Sequence, residues 1–195
     1  MVLRFLSHKL SKNLPNILTV SRVVLIPVML LFFYLPVEWN RVAACTVFFF
    51  ASITDFFDGY FARKHKTFSK FGAFLDPVAD KLTVTTALVI LLQDHPTILM
   101  MIATAVIVGR EITISALREW MADLGEKTTV NVAFIGKVKT TFQMFAIGFL
   151  LYENDLWNMP VYTIGLTLLY IATVLTLWSM FVYLKAAWPM MKEKL

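Results

Sequence analysis

Residues 161–184 read VYTIGLTLLYIATVLTLWSMFVYL, a run without a charged residue. A membrane-spanning helix needs roughly 20 consecutive and mostly apolar residues, so this run is long enough to cross a bilayer. The whole chain shares the bias: 58% of its 195 residues are hydrophobic and 16% are charged, whereas soluble domains carry about 25% charged residues. Because the apolar blocks are continuous rather than alternating, they favour helices over a membrane β-barrel.

Five further apolar blocks precede this run and predict five more membrane helices. The fold expected is all-α, a polytopic membrane protein with six transmembrane helices in one domain, 1–195, made of a six-helix bundle (14–185) and a cytoplasmic tail (186–195). The helices are expected at about 15–35, 41–62, 71–92, 97–121, 132–152 and 161–185.

The first thirteen residues combine apolar and basic side chains. Leu3, Leu6 and Leu10 share one helical face, and Arg4 and Lys9 lie away from it. This pattern predicts a short N-terminal interfacial amphipathic helix over residues 1–13, on an anionic membrane surface. A frayed basic tail fits these residues equally well.

The positive charges are distributed unequally between the two ends of the predicted helices. Six helices place both termini on one side, together with the basic stretch 63–70, whereas Arg41 is the only lysine or arginine in the opposite turns. Lysine and arginine are enriched in cytoplasmic loops, so the termini and the 63–70 stretch are expected in the cytoplasm. Nucleic acid is not an expected partner, because binding it needs a basic patch on a soluble face.

Four aspartates lie near the cytoplasmic ends of the second and third predicted helices. Asp55 and Asp58 are three residues apart and Asp76 and Asp80 are four apart, so each pair shares a helix face. Charged carboxylates inside a membrane segment are costly unless something positive offsets them. Two divalent cations would do so, and carboxylate oxygens suit Mg²⁺ and Mn²⁺.

The full pattern reads Asp55-x-x-Asp58-Gly59-x-x-Ala62-Arg63, then eight residues, then Gly72-x-x-x-Asp76-x-x-x-Asp80. It resembles the signature of the CDP-alcohol phosphotransferase family at all eight fixed positions. The resemblance implies a six-helix, often homodimeric membrane enzyme in which Asp55, Asp58, Asp76 and Asp80 bind two metal ions that hold the CDP pyrophosphate. By the same resemblance Asp80 is the catalytic base. The residues that would border the CDP are Asp58, Gly59, Ala62, Arg63 and Gly72.

Other stretches resemble bacterial members of this family that act on one particular pair of substrates. They are Pro15-Asn16-x-x-Thr19-x-x-Arg22, 75–81, 110–119 and 136–143. The resemblance implies CDP-diacylglycerol as donor, sn-glycerol 3-phosphate as acceptor and CMP as leaving group, at the cytoplasmic face of a bacterial inner membrane.

A phosphorylated acceptor needs cations, and arginine offers a two-pronged contact to phosphate. The candidates for binding the acceptor phosphate are Arg22, Arg110, Arg118, Lys137 and Lys139. Asn16, Thr19 and Lys81 are candidates for supporting the site. An alternative role for Arg118, Lys137 and Lys139 is anchoring by side chains that extend to the membrane surface.

Three other functions compete with this interpretation. The same family could use serine, inositol phosphate or phosphatidylglycerol, although an uncharged or zwitterionic acceptor would not need this set of cations. A cation transporter would explain the acids but not Gly59, Ala62, Arg63 and Gly72. A membrane prenyltransferase usually needs more than six helices.

Pro77 adds a structural question, because proline disfavours helix at Asp76 and requires either a late helix start or a bend.

Overall fold

The computed structural model describes residues 19–65, 70–123, 133–156 and 159–193. These ranges form six α-helices: α1, Thr19–Tyr34; α2, Asn40–His65; α3, Lys70–Asp94; α4, Ile98–Asp123; α5, Ala133–Tyr152; and α6, Val161–Glu193. The only β-type pairing in these ranges is an isolated bridge between Leu156 and Met159. The all-α class expected from the sequence is therefore confirmed for the described residues. The expected interfacial helix over 1–13 lies outside them.

Two helices, α2 and α6, extend three or more residues beyond their expected ends. Helix α2 runs to His65, so residues 63–65, expected at the start of a basic loop, are helical. Helix α6 continues through Pro189 to Glu193, so residues 186–193, expected as a tail, prolong the last helix. A proline inside a helix loses one backbone hydrogen bond. Ala187 is only 1% exposed, and its packing favours continuation of the helix past Pro189.

Pro77 lies inside α3 rather than before it. The helix begins at Lys70, so Asp76 and Asp80 are both helical and a late helix start is excluded. Pro77 is exposed, so its ring lies on a face of α3 that is open in the part of the chain that the structure describes. Because the helix is continuous across the proline, the two aspartates stay one turn apart on a common face.

Within the described ranges, two helices are long and apolar enough to cross a membrane. These segments are Ile98–Ala122 in α4 and Val161–Pro189 in α6, and two shorter apolar helices cover Thr19–Tyr34 and Asn40–Thr54. Helix α6 also leaves Val174, Trp178 and Phe181 more than 60% exposed. Their spacing of four and three residues places them on one face. An apolar face this exposed is unfavourable in water and suits contact with lipid.

The chain divides into two compact units, Met1–Ile90 and Leu91–Leu195. In the first unit, the fully buried side chains include Met29, Phe48, Ala79 and Leu88. In the second unit, α6 packs against both α5 and α4. Here Ile107, Ile147, Leu150 and Leu169 are fully buried. These contacts position the polar side chains of α4, α5 and α6 that are described below.

Gly165 allows α6 to approach α5 closely. A Cβ atom at this position would lie 2.9 Å from Leu150 Cγ and 3.2 Å from the Leu150 backbone nitrogen. The Leu150 side chain could change its conformation, but the Leu150 backbone nitrogen could not move without shifting α5. Small residues at helix interfaces serve this purpose in membrane proteins, where close packing replaces the hydrophobic driving force.

We expect Gly165→Ala to destabilise the protein despite the better helix propensity of alanine. Overpacking costs about 1–3 kcal/mol, against a propensity gain of up to about 1 kcal/mol. Gly109→Ala is the matched control, because a Cβ there meets nothing within 4 Å. Thermal unfolding in detergent should show a lower Tm for Gly165→Ala and an unchanged or higher Tm for Gly109→Ala. Equal Tm values for the two variants would contradict the close approach.

Candidate active site

A buried arginine holds one of the motif aspartates in the first unit. Arg22 in α1 is 1% exposed, and its Nη2 donates a hydrogen bond to Asp76 Oδ1 in α3 at 2.7 Å. A buried guanidinium requires an anionic partner, because desolvation of the charge is otherwise too costly. The Asp76 side chain is 46% exposed, so its carboxylate remains accessible to a ligand. The structure thus links a residue expected to bind acceptor phosphate to one expected to bind metal.

Helix α3 presents Asp76 and Asp80 together. Both are partly exposed, whereas Ala79 between them is completely buried. Thr83, one turn further, is 5% exposed and donates its hydroxyl to the Ala79 carbonyl oxygen at 2.9 Å. The buried Ala79 and Thr83 fix the rotation of α3 about its axis. The two carboxylates therefore lie on a side that remains partly accessible, and Gly72 lies one turn before Asp76 on the same helix.

The half of the motif in α2 is described only by its backbone. Helix α2 is continuous through residues 55–65, so Asp55 and Asp58 have the helical spacing that places them on one face. Among the residues expected to form the site, the side chains outside the described part are those of Asp55, Asp58, Gly59, Ala62 and Arg63 in α2 and Lys137 in α5. Asn16 lies outside it entirely. Thr19 is buried in α1, and Lys81 in α3 is partly exposed.

In the second unit, Glu111 bridges two of the expected phosphate-binding cations. Its Oε1 accepts a hydrogen bond from Arg110 Nη1 at 3.0 Å and another from Lys139 Nζ at 2.6 Å. Lys139 and Arg110 are 3% and 8% exposed at their side chains, and Glu111 is 26% exposed. Among the described residues, two buried cations beside one carboxylate give this group an excess of positive charge. That excess charge is suited to an anion such as phosphate.

Helix α6 contributes polar groups to the same cluster. Arg110 Nη2 donates to Ser179 Oγ at 3.4 Å, and Arg118 Nη2 donates to Tyr183 Oη at 3.1 Å. The guanidinium carbons of Arg110 and Arg118 lie 5.9 Å and 5.4 Å from the centre of the Tyr183 ring. These distances are typical of cation–π contacts. The ring therefore holds two expected phosphate-binding arginines near each other.

A cleft of about 240 Å³ opens beside Arg118. It is lined by Leu117, Arg118, Met121, Tyr183 and Ala187. Elsewhere in α4 and in α5, Arg110 Nε and Gln143 Oε1 are buried and make no hydrogen bond with other described residues. Buried polar atoms are normally satisfied, so this donor and this acceptor retain capacity for a ligand or water. The cation cluster therefore has a small accessible cleft and unused hydrogen-bonding groups.

Comparison with known proteins decides the relationship that the motif suggested. The family model for CDP-alcohol phosphatidyltransferase matches residues 12–178. The chain belongs to this family. It is similar to the CDP-diacylglycerol–glycerol-3-phosphate 3-phosphatidyltransferases of Shigella flexneri serotype 5b (strain 8401) and Escherichia coli (strain K12). In both cases 49% of 175 residues are identical, covering 90% of this chain and 94% of the relative. The resemblance found in the sequence is confirmed.

Two polar residues of α6 that contact the expected phosphate-binding arginines, Ser179 and Tyr183, were not predicted from the sequence. All residues of the CDP-alcohol phosphatidyltransferase signature lie within 12–178, whereas Ser179 and Tyr183 lie just beyond this range. Neither belongs to a motif, and both occur in the apolar run that predicts α6. The only signal for them was the presence of a tyrosine and a serine in that run. Glu111 was visible as a neighbour of Arg110, but its contact with Lys139 depends on the packing of the helices.

Proposed function

We propose that the chain transfers the phosphatidyl group of CDP-diacylglycerol to sn-glycerol 3-phosphate, forming phosphatidylglycerophosphate and CMP in phosphatidylglycerol biosynthesis. The observation that carries this proposal is the 49% identity, over 90% of the chain, to enzymes named for that reaction. Every candidate residue from Asn16 to Lys139 lies inside the region matched by the family. The cations of α4 and α5 support the choice of a phosphorylated acceptor over serine.

The four motif aspartates would hold the metal ions, which we take to be two Mg²⁺ or Mn²⁺. The donor set fits, because it consists of carboxylates, and Asp76 is both oriented by Arg22 and accessible. When bound, divalent ions stabilise the negative charge that develops on pyrophosphate oxygens during transfer. Asp55, Asp58, Asp76 and Asp80 provide the negative charge that retains them.

The small residues of the motif would form the surface against which the cytidine diphosphate lies. Gly59, Ala62 and Gly72 carry little or no side chain, so a flat group can approach the helix backbone. Asp58 and Arg63 would supply polar contacts beside them. Asp80 would take the proton of the attacking acceptor hydroxyl, since a carboxylate within hydrogen-bonding reach of that hydroxyl acts as a general base.

The acceptor phosphate would be bound by the cations of the second unit, Arg110, Arg118, Lys137 and Lys139. Glu111 keeps Arg110 and Lys139 positioned and partly neutralised. Tyr183 keeps Arg118 in contact with the cleft. Arg22 remains a candidate for the same role, with Asn16, Thr19 and Lys81 in support, although its contact with Asp76 favours a role in orienting that carboxylate.

All six helices would span the cytoplasmic (inner) membrane of a bacterium, with both termini and the active site on the cytoplasmic side. The exposed apolar face of α6 and the distribution of basic residues support this arrangement. The donor's acyl chains would then remain in the bilayer while its nucleotide reaches the aqueous side. Residues 1–13 would lie on the membrane surface, and the family resemblance favours a homodimer.

The reaction is tested with purified protein in mixed micelles that contain CDP-diacylglycerol and Mg²⁺. Labelled sn-glycerol 3-phosphate should be incorporated into chloroform-soluble lipid, and CMP should be released in equal amount. Chelation of the metal with EDTA should stop both, and added Mg²⁺ should restore both. Incorporation of no label, or release of CMP without label in the lipid, would contradict the proposed reaction.

Arg118→Ala should raise the KM for sn-glycerol 3-phosphate by roughly 10-fold or more, since a charged hydrogen bond contributes about 1.5–3 kcal/mol. The kcat should change much less. Tyr183→Phe is a matched variant, because it keeps the ring contact and removes the hydroxyl that accepts from Arg118. It should raise the same KM by a smaller factor. An unchanged KM in Arg118→Ala would contradict a role in binding the acceptor phosphate and would favour a role in membrane anchoring.

A further inference from the structure

Three metal-ligating side chains converge near the C-terminal ends of α3 and α5. They belong to Asp94, His95 and Glu153, and one ligand atom from each lies within 4.8 Å of the others. His95 Nε2 is 3.1 Å from Asp94 Oδ2 and 3.0 Å from Glu153 Oε1. None of the three belongs to the family signature, whose acids in α3 are near the opposite end of that helix. This cluster is therefore separate from the candidate active site.

The cluster gathers two carboxylates around one imidazole nitrogen, an arrangement that a bound cation would stabilise. Two carboxylate oxygens face the same ring nitrogen, and that nitrogen is shielded from solvent yet has no well-aligned hydrogen bond among the described residues. A proton on Nε2 would point well toward neither oxygen, so the short distances are not explained by a hydrogen bond. Unprotonated, the nitrogen lone pair would face two negative groups. A metal ion accepts electron pairs from all three atoms at once.

We propose that Asp94, His95 and Glu153 bind one divalent transition-metal ion, of which Zn²⁺ is the preferred member. One imidazole and two carboxylates are ordinary Zn²⁺ ligands, with a water completing four-fold coordination. Bonds of about 2.0–2.1 Å in a tetrahedron separate neighbouring donor atoms by about 3.3–3.4 Å. The observed separations of 3.0 and 3.1 Å differ from this by only a few tenths of an ångström. A small outward movement of each carboxylate would therefore admit the ion.

The local backbone holds the three side chains in place. The His95 amide donates to the Leu91 carbonyl oxygen at 2.9 Å, so the last turn of α3 includes the ligand pair. The His95 ring also contacts Tyr162 of α6, with ring centres 4.7 Å apart. Glu153 has a φ of 61°, a left-handed conformation that glycine or asparagine usually supplies at the end of a helix. A glutamate here places a carboxylate beside His95 in spite of this unfavourable backbone conformation.

The position of the cluster gives the ion a structural role. It would join the turn after α3 to the end of α5 inside the Leu91–Leu195 unit. The three side chains are 24–31% exposed, so an ion can reach them from solvent. Metal binding adds its free energy to that of folding when the unfolded chain lacks a formed site. The proposed ion would therefore stabilise the unit that carries the cation cluster.

Zinc uptake tests the proposal in full-length protein whose motif sites are disabled by Asp76→Asn and Asp80→Asn. After chelation, this protein should take up one Zn²⁺ per chain, measured by elemental analysis after dialysis. Adding His95→Ala or the near-isosteric Glu153→Gln should weaken uptake at least 10-fold. His8→Ala is the matched control, since it removes a histidine elsewhere and should leave uptake unchanged. Zn²⁺ near 100 times its Kd should raise the Tm by roughly 5–10 °C, with no rise in Glu153→Gln.

The proposal is overturned if the protein with intact Asp94, His95 and Glu153 takes up no Zn²⁺. It is also overturned if uptake and the rise in Tm persist unchanged in both His95→Ala and Glu153→Gln. Glu153→Gln guards against a folding failure of His95→Ala, because its Tm before metal addition reports whether the unit is intact. The result does not depend on the transferase reaction, which these measurements do not use.

Discussion

Asp80→Asn is expected to lower kcat by roughly 10²–10⁴-fold, the usual contribution of a general base. Asparagine has nearly the same size as aspartate but cannot accept the acceptor's proton. Helix α3 is continuous across Asp80 and is anchored by the buried Ala79 and Thr83, so the substitution should not disturb the fold. CDP-diacylglycerol should still bind, because three other aspartates remain. Both effects are measured by CMP release and by equilibrium binding of the donor lipid.

Asp76→Asn is the matched comparison, since it removes a carboxylate one turn away on the same helix. Its main effect should be a higher Mg²⁺ concentration for half-maximal activity, with part of kcat restored at saturating Mg²⁺. Asp80→Asn should not be restored in this way. Near-wild-type turnover in Asp80→Asn would show that the base is another group. Full recovery of Asp80→Asn at high Mg²⁺ would show that Asp80 acts only as a metal ligand.

Arg22→Met should reduce activity about 10–100-fold, the range typical when a residue that orients a metal ligand is removed. Arg22 is buried and donates to Asp76 Oδ1 at 2.7 Å, and methionine retains much of its apolar length without the charge. Asp76 would lose its orientation, so the half-saturating Mg²⁺ concentration should rise while the KM for sn-glycerol 3-phosphate stays nearly constant. Stability should fall by about 1–3 kcal/mol through the lost charged hydrogen bond.

Arg22→Lys is the control, because it retains the charge but lacks the planar guanidinium. Its loss of activity should be smaller than that of Arg22→Met. The two possible roles of Arg22 predict different kinetic signatures. A rise in the acceptor KM with an unchanged Mg²⁺ requirement would assign Arg22 to the acceptor phosphate and contradict its role in orienting Asp76.

The helical fold and the family were accessible from the sequence because both depend on local patterns. The uncharged run 161–184 is long enough for a membrane helix by itself, and the aspartate spacing is meaningful within a single helix. Helix ends were less accessible. The continuation of α6 past Pro189 depends on the packing of Ala187, and packing contacts are not visible in a local pattern.

The partners of the charged side chains could not be predicted in the same way. Arg22 and Asp76 are far apart in sequence, as are Glu111 and Lys139, and their contacts exist only because helices pack together. Tyr183 lies in the uncharged run 161–184, where a tyrosine gives no sign of a contact with a charged residue. The sequence could identify which cations are available for a phosphate. Only the structure shows that Glu111 and Tyr183 hold Arg110, Arg118 and Lys139.

Acceptor preference tests the proposed reaction most directly. Purified protein with CDP-diacylglycerol and Mg²⁺ is supplied in turn with sn-glycerol 3-phosphate, glycerol and serine, and CMP release is measured. A site built to bind a polar group rejects analogues that lack it by large factors, so kcat/KM should favour sn-glycerol 3-phosphate over glycerol by roughly 10⁴–10⁵-fold. Serine should be at least as poor as glycerol. Comparable CMP release with glycerol or serine, or none with sn-glycerol 3-phosphate, would contradict a phosphorylated acceptor bound by Arg110, Arg118 and Lys139.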